Sequence, residues 1–527
     1  MRVVSSEEMK AIESLTTQDM GFGEARIIEN VGGNAAEFIE NRFLLENDFS
    51  EIIVFVGKGY NGANGLCIAR HLTNKGYSVR AFLLFSESEF GPVITEQLNF
   101  ARHFGVKVNS IDDTEQIESY FTQTQDEFLV IDAILGMGFN PPLSNYLFDV
   151  VNLINDYATI VVSVDAPTGV AGDNGRVNGN AIHADYTMAI GLPKLCHYVG
   201  DGAEHTGKLV VIEAGFPYKT LVGGDKQLLS ANDCIENLKR RDKFGHKNSF
   251  GHCLVVGGSP GLTGAVIMSS LAALKVGTGL VTASTWKESY VELCSRIVPE
   301  VMTGLIPTVK EAVDDIIKDL NRWDSIVLGP GLGRDLKSRQ VVLQVLNHFA
   351  GPVVVDADAI RVLNLEEDDQ VLAQRKWPTI LTPHMGEFAD FAKVDKAAVL
   401  ENPMAYLRKL VDRTNSCILL KGACSYLGLP NGDIFINYFP NDGMASGGSG
   451  DVLSGILGGL LAQSPMEVKT SSMFANKQVV YDAIKLGIII HTLSGKHASL
   501  KEGSRSMTAI SLVEYLSDAF AELEEQL

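Results

Sequence analysis

The run Gly447-Gly448-Ser449-Gly450-Asp451 sets a carboxylate behind a glycine-rich turn and ahead of an apolar helical pattern. Val452, Leu453, Ile456, Leu457, Leu460 and Leu461 recur on one helical face, which predicts a helix starting near Asp451. The small residues before it can turn several backbone N–H groups toward one point at the positive helix end, forming an anion hole. Asp451, in the first turn, can then take a proton from a hydroxyl beside bound phosphates. The alternative is that Asp451 only caps the helix, while Gly447, Gly448 and Gly450 shape a turn. Further polar clusters follow apolar runs: Asp356 and Asp358 in "VVVDADAI", His384 and Glu387 in "LTPHMGEF", and Lys421 to Ser425 in "KGACS". Two glycine turns, "GGSPGLTGA" (Gly257 to Ala265) and "LGPGLG" (Leu328 to Gly333), do the same. The first lacks the Lys-Ser/Thr that completes a P-loop.

A second set lies in the first half of the chain. "IIVFVG" runs into "GKGYNGANG" and a helical stretch, so Gly57, Gly59 and Gly62 match a dinucleotide-type GxGxxG in strand–turn–helix context. "IDAILGMGFNPPL" and "SVDAPTGV" place Asp132 and Asp165 at two more strand ends, with Asn61 and Thr168 as neutral oxygens nearby. Oxygen-only donors of low charge suit a hard monovalent or weakly held cation better than zinc. Hydrogen-bonding caps without a cation are the alternative.

The elements that must position these groups are short β-branched runs between amphipathic helices. In the first half they are 51–56, 79–85, 128–131, 159–164 and 186–190; in the second, 252–256, 280–283, 325–328, 352–355, 379–381 and 416–420. Continuous apolar runs imply strands buried on both faces, as in mainly parallel sheets covered by helices. The fold class is α/β, with two doubly wound domains whose ligand sites lie at strand carboxyl ends. The seam falls within "YKTLVGGDKQLL" (Tyr218 to Leu229), which divides the chain into 1–222 and 223–527.

At 527 residues the chain exceeds what one core serves, and its 46% apolar, 20% charged composition is that of folded globular protein. A net charge of −20 disfavours nucleic acid or anionic membrane as partners, so an anionic ligand must be held locally. Seven cysteines without a CxxC pair read as reduced thiols. The charged N-terminus lacks a signal-peptide core, and a cytoplasmic location is expected.

The motifs "HKNSFGHCLVVGGSPGLTGA", "PEVM", "GPGLG", "DADAI", "LTPHMGEF", "LKGA" and "GGSGD", in that order over His246 to Asp518, resemble the NAD(P)H-hydrate dehydratases of the ribokinase-like superfamily. The resemblance implies that Ala265, Gly333 and His384 touch a hydrated nicotinamide dinucleotide and that Asp451 acts at its hydroxyl. It implies that Lys421, Gly422, Ala423, Cys424, Ser425 and Gly450 line ADP, with magnesium offsetting phosphate charge. Over Met1 to Pro217, "IIENVGGNAA", "YNGANG", "SVDAPTGV" and "GLPK" resemble the NAD(P)H-hydrate epimerases, whose domain is Rossmann-like. Here the implied potassium ligands are Asn61, Asp132 and Thr168. The implied substrate-binding residues are Tyr60, Asn61, Gly62, Ala63, Asn64, Gly136, Met137, Gly138, Phe139, Asn140, Pro141, Pro142 and Asp165. Apart from the resemblance, Lys194 and Asp165 are candidate acid–base groups by residue type. That family usually carries "NNGGDG" where this chain has "YNGANG", so Asn64 stands in place of an Asp. The combined expectation is a homo-oligomeric repair enzyme that interconverts R and S hydrates of NADH and NADPH and dehydrates the S epimer with ADP, giving AMP and phosphate. The alternative is a small-molecule kinase of ribokinase fold with a non-catalytic N-terminal ligand-binding module.

Overall fold

Buried β-branched runs assemble into two separate sheets. The computed structural model describes every residue except 48, 125–126, 141, 239–240, 307–321, 465–472 and 526–527. The chain divides into two units, Met1–Lys226 and Gln227–Leu527.

The first unit contains β1 (Glu51–Val56), β2 (Val79–Leu83), β3 (Lys107–Ser110), β4 (Phe128–Ala133), β5 (Ile160–Val164), β6 (Tyr186–Ile190) and β7 (Lys208–Ile212). They pair in parallel in the order β3-β2-β1-β4-β5-β6-β7. Every residue of β1 and β4 is buried, as strands covered by helices on both faces require. The order reverses between β1 and β4, which opens a crevice at their carboxyl ends. Close packing there explains two of the three motif glycines. A Cβ at Gly57 would overlap the Ile134 carbonyl oxygen, and one at Gly62 would overlap the Gly57 carbonyl oxygen. Nothing lies within 4 Å of a Cβ at Gly59, so the amino end of the helix Tyr60–Asn74 faces open space.

The second sheet contains β8 (Lys226–Leu228), β9 (His252–Val256), β10 (Leu280–Thr285), β11 (Met302–Leu305), β12 (Ser325–Leu328), β13 (Val353–Val355), β14 (Thr379–Leu381), β15 (Cys417–Leu420), β16 (Cys424–Gly428) and β17 (Ile434–Tyr438). Their order is β11-β10-β9-β12-β13-β14-β15-β16-β17-β8, parallel from β11 to β15 and antiparallel through β15-β16-β17. The reversal lies between β9 and β12, again closed by a glycine: Gly258 N–H donates to Pro330 O at 2.9 Å, and a Cβ at Gly257 would overlap that oxygen.

The helix after the GGSGD loop is Ser449–Gln463, two residues earlier than the apolar pattern suggests, because Gly448 at φ 100° turns the chain into it. It is buried all round from Val452 to Ala462, not on one face alone. Its glycines are the reason: Gly455 abuts the Ser269 carbonyl, Gly459 lies against Ala273 O and the Val276 side chain, and Gly458 sits under Val327. The helix thereby wedges between Thr263–Lys275 and the sheet.

The strands absent from the sequence reading are β3, β7, β11, the β16–β17 hairpin and three-residue β8. β3, with burial only at Val108, and β7, exposed or half-buried up to Ile212, are sheet edges, so no continuous apolar run marks them. All seven cysteines are free, and five are buried. Among the described residues, no helix is long and apolar enough to cross a membrane.

Candidate active sites

In the second unit, loops from five adjacent strands converge. After β13, Asp356 is 1% exposed and its Oδ1 lies 2.8 Å from Lys421 Nζ, which follows β15. A Cβ at Gly450 would lie 3.0 Å from Lys421 Nζ and 4.0 Å from Asp356 Oδ2, so this pair sits against the first turn of Ser449–Gln463. Asp451 is the third residue of that turn. Its carboxylate makes no hydrogen bond among the described residues, and the N-cap position is Gly448, so the capping alternative is not what forms. Loss of solvent, then the Asp356 carboxylate, pushes the Asp451 carboxyl up to about 7, with Lys421 opposing and Asp358 and Glu387 adding.

The neighbouring loops are locked to each other. Asp358 accepts from Gly333 N–H at 3.0 Å and pairs with Arg334 at 2.8 Å. Ala265 and Gly331 face one another, a Cβ on the latter falling 3.3 Å from Ala265 Cβ. His384 N-caps Met385–Ala392: its Nδ1 accepts from Gly386 N–H at 3.0 Å and Glu387 N–H at 3.3 Å. With Nδ1 accepting, the ring proton belongs on Nε2, 3.5 Å from Glu387 Oε1, and the Arg361 Nη2 donor 3.2 Å away makes no hydrogen bond to it in that tautomer. Burial lowers the His384 pKa, with Lys421 and Arg361 adding and Glu387 opposing, which keeps the imidazole neutral. Lys421 N–H donates to Pro383 O at 2.8 Å and so joins this loop to the lysine turn. Gly422 and Ser425 close that turn on each other, Ser425 Oγ donating to Gly422 O at 3.2 Å, with Ala423 and Cys424 between them.

In the first unit, Asp132 is fully buried and accepts four hydrogen bonds: Thr168 Oγ1 at 2.7 Å, Ser163 Oγ at 2.8 Å, Thr168 N–H at 2.9 Å and Ile134 N–H at 3.2 Å. Burial still raises its pKa, the hydrogen bonds opposing. Asn61 Nδ2 donates to Leu135 O and Val164 O at 2.9 and 3.0 Å, while its buried Oδ1 has no partner among the described residues. Gly136 lies between this amide and Asp165, a Cβ there falling 3.4 Å from Asn61 Cγ and 3.1 Å from Asp165 Oδ2. Asp165 Oδ1 meets buried Lys194 Nζ at 2.5 Å, and Oδ2 accepts from Met137 N–H at 3.2 Å. Burial alone would raise the Asp165 carboxyl, but Lys194 holds it below the usual carboxylate range.

The other expected residues differ in their surroundings. Ala63 belongs to the apolar core, Gly62 is tucked beneath Gly57, and Phe139 packs against the core cluster on the other sheet face. Tyr60, Gly138, Asn140 and Pro142 are exposed, Asn64 is buried with its Oδ1 unpartnered, and Pro141 lies outside the described residues. Four non-glycine residues among those described have positive φ. Lys393 and Asn415 end helices, whereas Asp165 (68°) and Ala357 (48°) sit in the two clefts. Strain of this kind persists where surroundings over-determine a functional geometry. Sequence reading missed Arg361, whose Nε lies 3.3 Å from Glu387 Oε1, and His491, whose Nε2 meets Ser449 O at 3.1 Å. Arg361 directly follows "DADAI" and could have been found by extending that motif one residue, whereas His491 stands beside no motif and carries no signal in the chain pattern.

Comparison with known proteins gives two family matches: one described as NAD(P)H-hydrate dehydratase over residues 253–518, and one described as YjeF-related protein N-terminus over residues 24–196. The bifunctional NAD(P)H-hydrate repair enzyme of Moorella thermoacetica is 34% identical over 100% of this chain and 98% of its own length. That of Thermofilum pendens is 30% identical over 100% of this chain and 97% of its own. A solved ADP/ATP-dependent NAD(P)H-hydrate dehydratase from Bacillus subtilis, co-crystallised with ATP and Mg2+, aligns with a TM-score of 0.46 at 23% identity, over 56% of this chain and 98% of that one. The full-length matches, covering both sheets and both clefts, establish that this chain belongs to the family of bifunctional NAD(P)H-hydrate repair enzymes.

Proposed function

We propose that Gln227–Leu527 dehydrates the S hydrates of NADH and NADPH at the expense of ADP, and that Met1–Lys226 interconverts the R and S hydrates. The observation that carries the first half is the Asp451 carboxyl, unpaired and raised to about 7, beside the Lys421–Asp356 pair at a helix amino end. A base with a pKa near the working pH is effective in proton transfer, and helix N–H groups with a lysine suit phosphate. Asp451 takes the proton of the ring hydroxyl as its oxygen attacks the terminal phosphorus of ADP and the bond to AMP breaks. The phosphorylated oxygen then leaves as phosphate with the C–O electron pair while a neighbouring C–H proton passes to water, which restores the ring double bond. Lys421 and Gly450 hold the nucleotide with Gly422, Ala423, Cys424 and Ser425. Ala265, Gly333 and neutral His384 line the dinucleotide side. Magnesium suits the oxygen donors of Asp356 and Asp358 and, when bound, offsets phosphate charge.

The first unit fits potassium. Asn61 offers an unpartnered buried oxygen, and the Asp132 carboxylate is buried with hydrogen bonds but no basic side chain among the groups that perturb it. Asn61, Asp132 and Thr168 would hold the ion, whose charge supports that carboxylate and orders the loop around Gly136. The buried Asp165–Lys194 pair supplies an ionised carboxylate to the same cleft.

Hydrated NADH offered with ADP, ATP or neither tests the reading, followed by recovery of reduced-cofactor absorbance. ADP should support turnover and the nucleotide-free reaction should not, and Asp451→Asn should abolish it. Normal turnover by that variant would sink the assignment. A stable phosphorylated product would instead favour a small-molecule kinase.

A further inference from the structure

Glu13 is a carboxylate to which neither the glycine turns nor the strand ends point. It lies on the helix Ser6–Ser14, whose Ser6, Met9 and Glu13, spaced by three and four, share one face. That face covers the loops of the first cleft. Ser6 Oγ donates to Met137 O at 3.1 Å, and Met9 Cε lies 3.4 Å from where a Gly191 Cβ would stand. The preceding residues bind the Lys194 loop, Val4 N–H donating to Pro193 O and Leu195 N–H to Val4 O, each at 3.0 Å. Glu13 is thus half-buried within electrostatic reach of Asp165 and Lys194, with Lys10 and Glu24 as its other charged neighbours. Loss of solvent, then Glu24 and Glu13, raise the Tyr60 phenol.

Loss of solvent, then Asp165, pushes the Glu13 carboxyl up to about 7, Lys194 and Lys10 opposing and Glu24 adding. Asp165 goes the other way because of Lys194. Two carboxyls driven apart in this way supply an acid and a base from the same chemical group.

We propose that Glu13 is the proton donor of the first-unit reaction, acting opposite the Lys194-held carboxylate of Asp165; this rests on the epimerase reading above. Glu13 gives its proton to the ring hydroxyl, and the C–O bond breaks with its electron pair leaving on water. The ring nitrogen lone pair stabilises the resulting planar carbon. Water adds to the opposite face, and its surplus proton passes to Asp165. Solvent returns that proton to Glu13, so protons balance over the cycle.

The test uses the full chain with one purified hydrate epimer, potassium and no nucleotide, and follows appearance of the other epimer. Glu13→Gln should slow exchange by about 100-fold or more, with Glu13→Asp recovering part of it. The wild-type rate should fall as pH rises through about 7, and that limb should vanish from the residual rate of Glu13→Gln. Nucleotide-dependent dehydration by Gln227–Leu527 and the thermal transition of Met1–Lys226 report folding. Wild-type exchange by Glu13→Gln with the limb intact overturns the assignment and leaves the epimerase reading standing. Equal losses in both variants with the limb retained also overturn it, because the helix then only seats the loop. No exchange in the wild-type chain refutes the epimerase reading, and this proposal with it.

Discussion

Asp451→Asn should make the second unit more stable at pH 8 while removing its turnover. The Asp451 carboxyl moves from 3.8 to about 7, an upward shift of about three units. At ~1.4 kcal/mol per unit, ionisation of this side chain costs the folded state at most about 4 kcal/mol, and about 2 kcal/mol once solvent and local relaxation are allowed for. The sign follows from the direction of the shift. The folded state holds its proton to higher pH than the unfolded chain, so the cost is absent below about 4, grows with pH and is complete above about 7. Asparagine is neutral throughout and nearly the same size. The gain should therefore be largest at pH 8 and shrink as pH falls toward 5. All three tryptophans, Trp286, Trp323 and Trp377, lie in Gln227–Leu527, so urea unfolding followed by tryptophan fluorescence reports that unit alone. An unfolding midpoint for Asp451→Asn at or below wild type at pH 8 would refute the reasoning, since the carboxylate would then not be in a site hostile to its charge. A gain in stability paired with lost function marks a residue kept for chemistry.

Lys421→Met should weaken ADP binding by roughly ten- to a hundredfold in calorimetric titration, the worth of a charge-assisted contact, because it also strands the Asp356 carboxylate. Glu51→Gln should destabilise the first unit by roughly 1–3 kcal/mol at neutral pH, read by hydrogen exchange of the β1–β3 amides. Despite burial, Arg80, Lys107 and Tyr120 hold the Glu51 carboxyl at about 2, so its contribution is present above about 4.5 and is lost as pH falls toward 2. Gly455→Ala should lower the fluorescence-detected melting temperature of the second unit, at a cost of roughly 1–3 kcal/mol, because its Cβ meets the Ser269 carbonyl. Asn61→Ala should remove the potassium dependence of epimer exchange, which a titration of rate against potassium concentration would reveal.

Much of this protein is legible along the chain because parallel sheets place chemistry at strand ends. Strands buried on both faces must be continuously apolar, so β1, β4, β9 and β12 announce themselves, and the polar residues after them mark each cleft. The edge strands β3 and β7 carry no such signature, since exposure relaxes the demand for apolar side chains. The glycine pattern at 57, 59 and 62 is visible in sequence, but its division of labour is not. Two of those glycines answer to carbonyl oxygens of Ile134 and Gly57, and one is left open. Likewise the carboxylate of Asp451 is plain in GGSGD, whereas its freedom from capping and its raised pKa depend on Gly448, on burial and on Asp356 beside it. The pairs Lys421–Asp356 and Lys194–Asp165 are 65 and 29 residues apart in the chain, and Glu13 reaches its cleft on a helix that carries no motif. Local pattern records what each residue can do and which element carries it. Which charges share a desolvated pocket, and so which carboxyl is an acid and which a base, follows only from elements meeting across the fold, where low dielectric makes their mutual field strong.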